Sequence, residues 1–92
     1  MGTAIITLKI MPISPEENLG RIQEEVIARI KEFAGDIGMK AEVEPVAFGL
    51  NALKVIFPWD ETKGSTDDLE ASLAAIAGIQ SVMCVDVRRA IG

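Results

Sequence analysis

Apolar and polar side chains alternate along residues 3–10, a pattern typical of a β-strand with one buried face. The apolar side consists of Ala4, Ile6, Leu8 and Ile10. The polar side consists of Thr3, Thr7 and Lys9. Met11-Pro12-Ile13 follows and is expected to end the strand.

The next segment has the spacing of an amphipathic helix, with apolar residues at steps of three and four. These residues are Leu19, Ile22, Val26, Ile30, Phe33 and Ile37. Ser14, Pro15 and Glu17 form a sequence typical of a helix start, with Ser14 as N-cap and Glu17 completing a capping box. Gly35 and Gly38 predict the helix end.

Two further strands and a turn are predicted in the middle of the chain. Residues 39–46 alternate weakly and contain Pro45, which cannot donate to a ladder and therefore favours a sheet edge. Residues 47–51 read as a turn in which Gly49 and Asn51 can adopt positive φ. Residues 52–57 predict the next strand, and residues 58–64 a loop.

A short helix and a final strand complete the pattern. Ser65 and Asp68 have the spacing of a capping box. The apolar stripe after them is Leu69, Leu73 and Ile76, and Gly78 is expected to end the helix. Residues 82–89 alternate again. We expect the inner face of this strand to carry Met83, Val85 and Val87.

The order strand, helix, strand, strand, helix, strand predicts an α+β fold, a ferredoxin-like βαββαβ two-layer sandwich. We expect a four-stranded antiparallel sheet with two helices on one face, and a single domain over residues 1–92. The first and third strands are expected at the centre, parallel to each other, with the Pro45 strand at an edge.

Strand directions give an expectation about which loops are neighbours. If the second and fourth strands run the same way, the Phe48 turn and the basic pair Arg88 and Arg89 lie at one end, roughly 15 Å apart. The loops at residues 12–17 and 58–65 are then expected at the opposite end.

Composition excludes several classes of function. The 92 residues carry a net charge of −5, which argues against direct nucleic-acid binding. The absence of histidine and the single cysteine argue against triad enzymes, metal sites and disulfides. We expect no cofactor, no membrane contact and, because residues 1–6 lack a basic targeting segment, a cytoplasmic location.

Four candidate residues or pairs have both a structural and a functional interpretation. Asp67 and Asp68 are best explained by the dipole of the second helix rather than by acid–base chemistry. Cys84 is expected on the face opposite the helices as a small apolar residue, and Trp59 either caps the core or binds a ligand. Phe48, at a hairpin tip, either folds back under the sheet or is an exposed interface residue, and the residues alone leave both open.

Three stretches of sequence resemble archaeal elongation factor 1-beta. They are residues 8–16 (LKIMPISPE), residues 44–53 (EPVAFGLNAL) and residues 85–89 (VDVRR). The resemblance extends over essentially the whole chain and includes the C-terminal domain of the eukaryotic exchange factor. It implies guanine nucleotide exchange on the GTPase elongation factor 1-alpha, without covalent chemistry.

The same resemblance implies a partner-binding role for Phe48, with Gly49 and Leu50, in contact with the second domain of the GTPase. In the eukaryotic domain a penultimate lysine disturbs the magnesium and phosphate site. Here Ile91 is penultimate, and Arg88 and Arg89 are the nearest cations that could replace that lysine.

A different class of function stays open as an alternative. A stand-alone ferredoxin-like regulatory domain could bind a small metabolite and dimerise through its sheet face. Outward-facing Thr3, Ile5, Thr7 and Lys54 are the residues that favour this interpretation.

Overall fold

The computed structural model describes residues 2–35 and 38–89. Four strands and two helices are present in it: β1 (Thr3–Pro12), α1 (Leu19–Ala34), β2 (Lys40–Pro45), β3 (Asn51–Asp60), α2 (Asp67–Ala74) and β4 (Ile79–Arg89). Short 3₁₀ turns at Ala47–Gly49 and Glu61–Lys63 flank β3. None of the helices in these two described ranges is long and apolar enough to cross a membrane.

The sheet has the order β2-β3-β1-β4, and every pair of neighbours is antiparallel. This confirms the ferredoxin-like α+β prediction, and it confirms Pro45 on an edge strand. The expectation that β1 and β3 are parallel is wrong. Helix α1 connects β1 to β2 so that these two strands are parallel, and the β2–β3 hairpin then reverses the direction of the chain. β1 and β3 are central but antiparallel.

The two ends of the sheet are therefore occupied differently from our expectation. The Phe48 turn lies beyond the pair Pro45–Asn51, whereas Arg89 pairs with Ala4, which also pairs with Trp59. Eight residues of β3 separate Asn51 from Trp59, which corresponds to roughly 27 Å of strand. Phe48 and Arg89 thus lie at opposite ends of a molecule 42 Å long.

We call these two ends the hairpin end and the arginine end. The hairpin end comprises residues 12–18 and 46–50, and the arginine end comprises residues 58–65 and 86–89. The loops at residues 12–17 and 58–65, which were expected at the same end of the sheet, therefore lie at opposite ends.

The core lies between the helices and one face of the sheet. Its fully buried large side chains come from β1, β3 and both helices: Phe57, Leu8, Ile10, Ile22, Ile30, Leu53, Leu69, Leu73, Val26 and Val55. The predicted α1 stripe is confirmed at Ile22, Val26 and Ile30. Ile37, its predicted last member, lies outside the described residues.

Helix α1 begins later than the sequence pattern predicts. Its N-cap is Asn18, whose Oδ1 accepts a hydrogen bond from the Arg21 N–H at 3.1 Å, and not Ser14. The physical reason is position: Asn18 directly precedes the first residue of the apolar stripe, whereas Ser14 forms a separate turn with Glu17. Gly35 ends the helix with a positive φ of 84°, as expected.

Helix α2 also differs at both ends. Its N-cap residue is Thr66, so the predicted Ser65–Asp68 capping box does not form; the Thr66 hydroxyl donates instead to Glu70 Oε2 at 2.6 Å. The helix ends at Ala74, before Ile76, which is nevertheless buried.

Strand β4 contains a bulge that changes which side chains face the helices. Thr7 pairs with Asp86 but Leu8 pairs with Cys84, so Val85 has no partner on β1. Because opposite residues share a face, Cys84 lies on the helix-bearing side with Leu8 and Met83 lies on the helix-free side with Lys9. The expected faces of Cys84, Met83 and Val85 are therefore wrong, since Val85 lies on the helix-free side beside Ile5 and Thr7. Val87 lies on the helix-bearing side opposite Ile6, as expected.

Trp59 belongs to the core. It is part of β3, is 5% exposed, and its Nε1–H donates to the Gly64 carbonyl at 2.9 Å. Its ring makes an edge contact with Phe57, with the ring centroids 6.2 Å apart. These contacts support the structural interpretation of Trp59 rather than the ligand-binding one.

Candidate partner-binding site

The hairpin between β2 and β3 has an unusual backbone at its tip. Phe48 adopts φ 62° and ψ 32°, the left-handed region, and Gly49 follows with φ 75°. Phe48 is the one non-glycine residue with positive φ in residues 2–35 and 38–89. The prediction of positive φ is confirmed at Gly49, but the second position is Phe48 and not Asn51, which already belongs to β3.

This backbone conformation costs free energy at Phe48. A non-glycine residue in the left-handed region is destabilised by about 1–3 kcal/mol, and a bulky residue there is a clear outlier. The Phe48 side chain offsets none of this cost by burial, since it is 94% exposed. Phe48 is therefore exposed, and the interpretation that folds it under the sheet is wrong; its role as an interface residue stays a prediction.

The turn is nevertheless well held by the backbone on both sides. The Val46 N–H donates to the Leu50 carbonyl at 2.8 Å, and the Leu50 N–H donates to the Ala47 carbonyl at 3.2 Å. A Cβ at Gly49 would meet no atom within 4 Å, so Gly49 is needed for its φ and not for space. The backbone of the turn is thus held in place while the Phe48 side chain protrudes, and Gly49 and Leu50 follow it in the same turn.

A small ion-pair network lies at the base of the hairpin. Glu44 of β2 pairs with Lys54 of β3 at 3.5 Å and with Lys9 of β1 at 3.4 Å. Lys54 above all, and Lys9 in addition, lower the pKa of Glu44 below its ordinary value. This network links β2 and β3, the two strands that carry the Phe48 turn, to β1 on the helix-free side of the sheet.

The arginine end is charged. Arg88 Nε lies 2.9 Å from Asp86 Oδ2, and Arg89 Nη2 lies 3.1 Å from Glu61 Oε1. Both arginine side chains are 79% exposed. Exposed ion pairs of this kind contribute about 0–1 kcal/mol, so either guanidinium can exchange its carboxylate for a phosphate at low cost.

The acidic partners of the arginines are residues that we did not single out from the sequence. Asp86 and Arg88 are two apart on a strand and share a face, a signal that was present in the sequence. Glu61 reaches Arg89 from across the fold, and no sequence spacing indicates that contact. Ala90, Ile91 and Gly92 lie outside the described residues.

The remaining candidates have structural explanations. Cys84 is exposed, but desolvation of its thiol, with a smaller effect of Glu70, raises its pKa, which disfavours the nucleophilic thiolate. Asp67 and Asp68 occupy the first turn of α2, as expected for dipole stabilisation. Within the described ranges, no group of three or more Cys, Asp or Glu residues could hold a metal ion.

The helix-free face of the sheet contains a shallow depression of about 430 Å³. Ile5, Thr7 and Lys54 contribute to it, as the metabolite-binding alternative requires. Its cations, Lys54 and Arg88, are both ion-paired, to Glu44 and Asp86. The alternative therefore stays a prediction, with no unpaired charge in this depression to favour it.

The structure is a ferredoxin-like α+β sandwich with an exposed, strained aromatic residue at one end and exposed arginines at the other. Comparison with known proteins gives the particular family. The model of the EF-1 guanine nucleotide exchange domain matches residues 5–90. The chain belongs to this family.

Curated relatives agree along the length of the chain. Elongation factor 1-beta of Methanothermobacter thermautotrophicus is 39% identical over 97% of this chain and 98% of the relative. Elongation factor 1-beta of Methanococcus aeolicus is 38% identical over 95% of this chain and 97% of the relative. That of Methanosphaera stadtmanae is 40% identical over 97% of this chain and 98% of the relative. The resemblance inferred from the sequence is confirmed, and the protein is a guanine nucleotide exchange factor rather than a catalyst of covalent chemistry.

Proposed function

We propose that this protein promotes GDP release from, and GTP loading of, elongation factor 1-alpha during translation elongation. Residues 1–92 act as one exchange domain, in the cytoplasm, with Phe48, Gly49, Leu50, Arg88 and Arg89 in contact with the GTPase. The observation that carries the proposal is Phe48, which is 94% exposed and in a strained conformation. The strained backbone of an exposed residue destabilises the folded protein, and a favourable free energy of binding to a partner can offset this cost.

Phe48 has the properties of an anchor for an apolar pocket. Its side chain is accessible, and two hydrogen bonds, Val46 N–H to Leu50 O and Leu50 N–H to Ala47 O, close the turn around it, so binding has to order little additional backbone. Aromatic anchors buried at the centre of an interface are commonly worth 2 kcal/mol or more. The hairpin end therefore supplies affinity for the second domain of the GTPase.

Arg88 and Arg89 supply the exchange step in this proposal. A guanidinium matches the geometry of phosphate oxygens and can compete for them with a magnesium ion. The ion pairs to Asp86 and Glu61 hold the two side chains near the end of β4 before the partner arrives. Weaker magnesium and phosphate binding then releases GDP.

The separation of the two ends constrains the complex. A contact at Phe48 and another at Arg89 are roughly 27 Å apart along the strands. A single GTPase must therefore lie lengthwise along this domain, with one of its domains at each end. This differs from the arrangement expected from the sequence, in which both contacts lay side by side.

Thermodynamic linkage makes the proposal testable. A factor that weakens nucleotide binding is itself bound more weakly, by the same factor, when nucleotide is present. Calorimetry should show tight binding to nucleotide-free elongation factor 1-alpha and much weaker binding to the GDP-loaded form. Release of fluorescent GDP should accelerate when this protein is added, and equal affinity for both forms would refute the exchange proposal.

A further inference from the structure

Ile13 is a second exposed apolar residue at the hairpin end. It follows directly after β1 and is 59% exposed, so it contributes little to the core. Exposed isoleucines are ordinary when isolated, and the significance of Ile13 therefore depends on its neighbours and on how it is held.

The backbone fixes Ile13 as firmly as it fixes Phe48. The Ile13 N–H donates to the Gly78 carbonyl at 2.9 Å, and the preceding Pro12 pairs with Ile79 at the start of β4. The chain then turns through a hydrogen bond from the Glu17 N–H to the Ser14 carbonyl at 3.2 Å. Ile13 is thus presented by a backbone attached to the sheet, which lowers the entropy cost of using it in an interface.

Sheet topology places Ile13 beside the Phe48 turn. β1 is the immediate neighbour of β3, and the β2–β3 hairpin projects from the same end of the sheet at which β1 finishes. With strands about 4.8 Å apart, the backbones at Ile13 and Phe48 are separated by on the order of 10 Å across the end of the sheet. One partner surface can therefore cover both.

The segments that carry these residues contain no charge, although a quarter of the chain is charged. Residues 10–15 and 45–53 include no Asp, Glu, Lys or Arg. The central part of a protein interface is depleted of charged residues because burying them is costly. The other large exposed apolar residues are distributed along β2 and β4: Val43, Met83, Val85 and Val87.

We propose that Ile13 is a second apolar anchor, which contacts the nucleotide-free GTPase together with Phe48 at the hairpin end. The inference rests on the proposed function and extends the binding site from one loop to two. The partner it requires has an apolar surface continuous over about 10 Å beside the Phe48 pocket.

The test measures affinity for nucleotide-free elongation factor 1-alpha by calorimetry. Ile13→Ala should weaken binding about tenfold and Ile13→Glu about a hundredfold, because the carboxylate would have to be desolvated. Val43→Ala is the matched control: Val43 is 53% exposed but lies within β2, and its loss should change affinity less than twofold. Thermal unfolding should be unchanged in Ile13→Ala and Val43→Ala.

The outcomes separate this inference from the proposed function. If the wild-type protein binds and Phe48→Ala weakens binding, but both Ile13 variants bind like the wild type, Ile13 is not an anchor and the inference is wrong. If the wild-type protein does not bind the nucleotide-free GTPase, the proposed function is wrong and the anchor role of Ile13 fails with it. A tenfold loss shared by Val43→Ala would overturn the specific role of Ile13.

Discussion

The hairpin end and the arginine end are built in opposite ways. At the hairpin end, Phe48 protrudes with no partner in the described structure and a strained backbone, within the uncharged segment 45–53. At the arginine end, Arg88 and Arg89 are paired to carboxylates on regular strand or turn backbone. The first arrangement can supply binding energy when a partner buries its apolar area. The second supplies guanidinium groups that can exchange one anionic partner for another. Under the proposed function, we therefore expect affinity and exchange to be separable functions of the two ends.

The largest effect should come from the core beneath the arginine end. Trp59→Ala removes a buried ring and the hydrogen bond to Gly64, and should destabilise the fold by about 3–5 kcal/mol. Thermal unfolding measures the loss, and Trp59→Phe, which keeps a ring, is the control with a smaller effect. The folded fraction of Trp59→Ala should still bind the GTPase through Phe48. A melting temperature equal to that of the wild type would contradict the core assignment of Trp59.

The next largest effect should be on binding at the hairpin end. Phe48→Ala should weaken affinity for the nucleotide-free GTPase about thirtyfold, equivalent to about 2 kcal/mol, since an anchor side chain is lost. Folding stability should change by less than about 0.5 kcal/mol, because the ring is 94% exposed.

Phe48→Gly sharpens this test. It removes the same ring but relieves the left-handed strain, so it should bind as weakly as Phe48→Ala while unfolding at a higher temperature. A large loss of stability with unchanged affinity, in either variant, would show that Phe48 serves the fold and not the partner.

A smaller effect, on rate rather than affinity, should follow changes at the arginine end. Arg88→Ala and Arg89→Ala should slow GDP release about tenfold while changing affinity less than threefold, if these cations act on the magnesium and phosphate site. Stopped-flow release of labelled GDP checks the rate. Lys40→Ala, which removes an exposed cation from β2, is the control. If neither arginine changes the release rate, the separation of functions between the two ends fails.

The smallest effect concerns the base of the hairpin. The pKa of Glu44 is lowered by Lys54 and Lys9, so the stabilisation by its carboxylate is present at neutral pH and is lost as the pH falls below the ordinary value of 4.5. Glu44→Gln should therefore unfold slightly more easily at pH 7 and lose the part of the pH dependence that Glu44 causes. Denaturant unfolding at pH 7 and pH 3 measures this, and a difference that is larger at pH 3 would contradict it.

The parts of the fold that the sequence predicted are those with a strong local period. The alternation in β1 and the three-and-four spacing of α1 are repeated enough to identify both elements and their buried faces, such as Leu8 and Ile22. The start of α1 was misplaced because Ser14 and Asn18 are both good caps, and only packing of the apolar stripe selects Asn18.

The sequence singled out the candidate residues, whose role stays a prediction, but their arrangement in the fold could not be predicted. Phe48 stood out as a hairpin-tip aromatic, yet its exposure depends on whether the sheet leaves room for it, which no local pattern contains. Phe48 and Arg89 lie at opposite ends of the sheet because of the direction in which each strand runs. One strand direction predicted wrongly is enough to place a residue at the wrong end of the sheet. Met83 and Cys84 were assigned to the wrong faces because the bulge at Val85 has no glycine or proline to announce it.

The bulge has a consequence for how β4 can vary in length. Val85 is an extra residue with no partner, and every pair on either side of it is complete without it. Deletion of Val85 would therefore leave Asp86 opposite Thr7 and Val87 opposite Ile6. The bulge therefore lets β4 lose one residue at Val85 while Arg88 stays opposite Ile5 and keeps its outward direction.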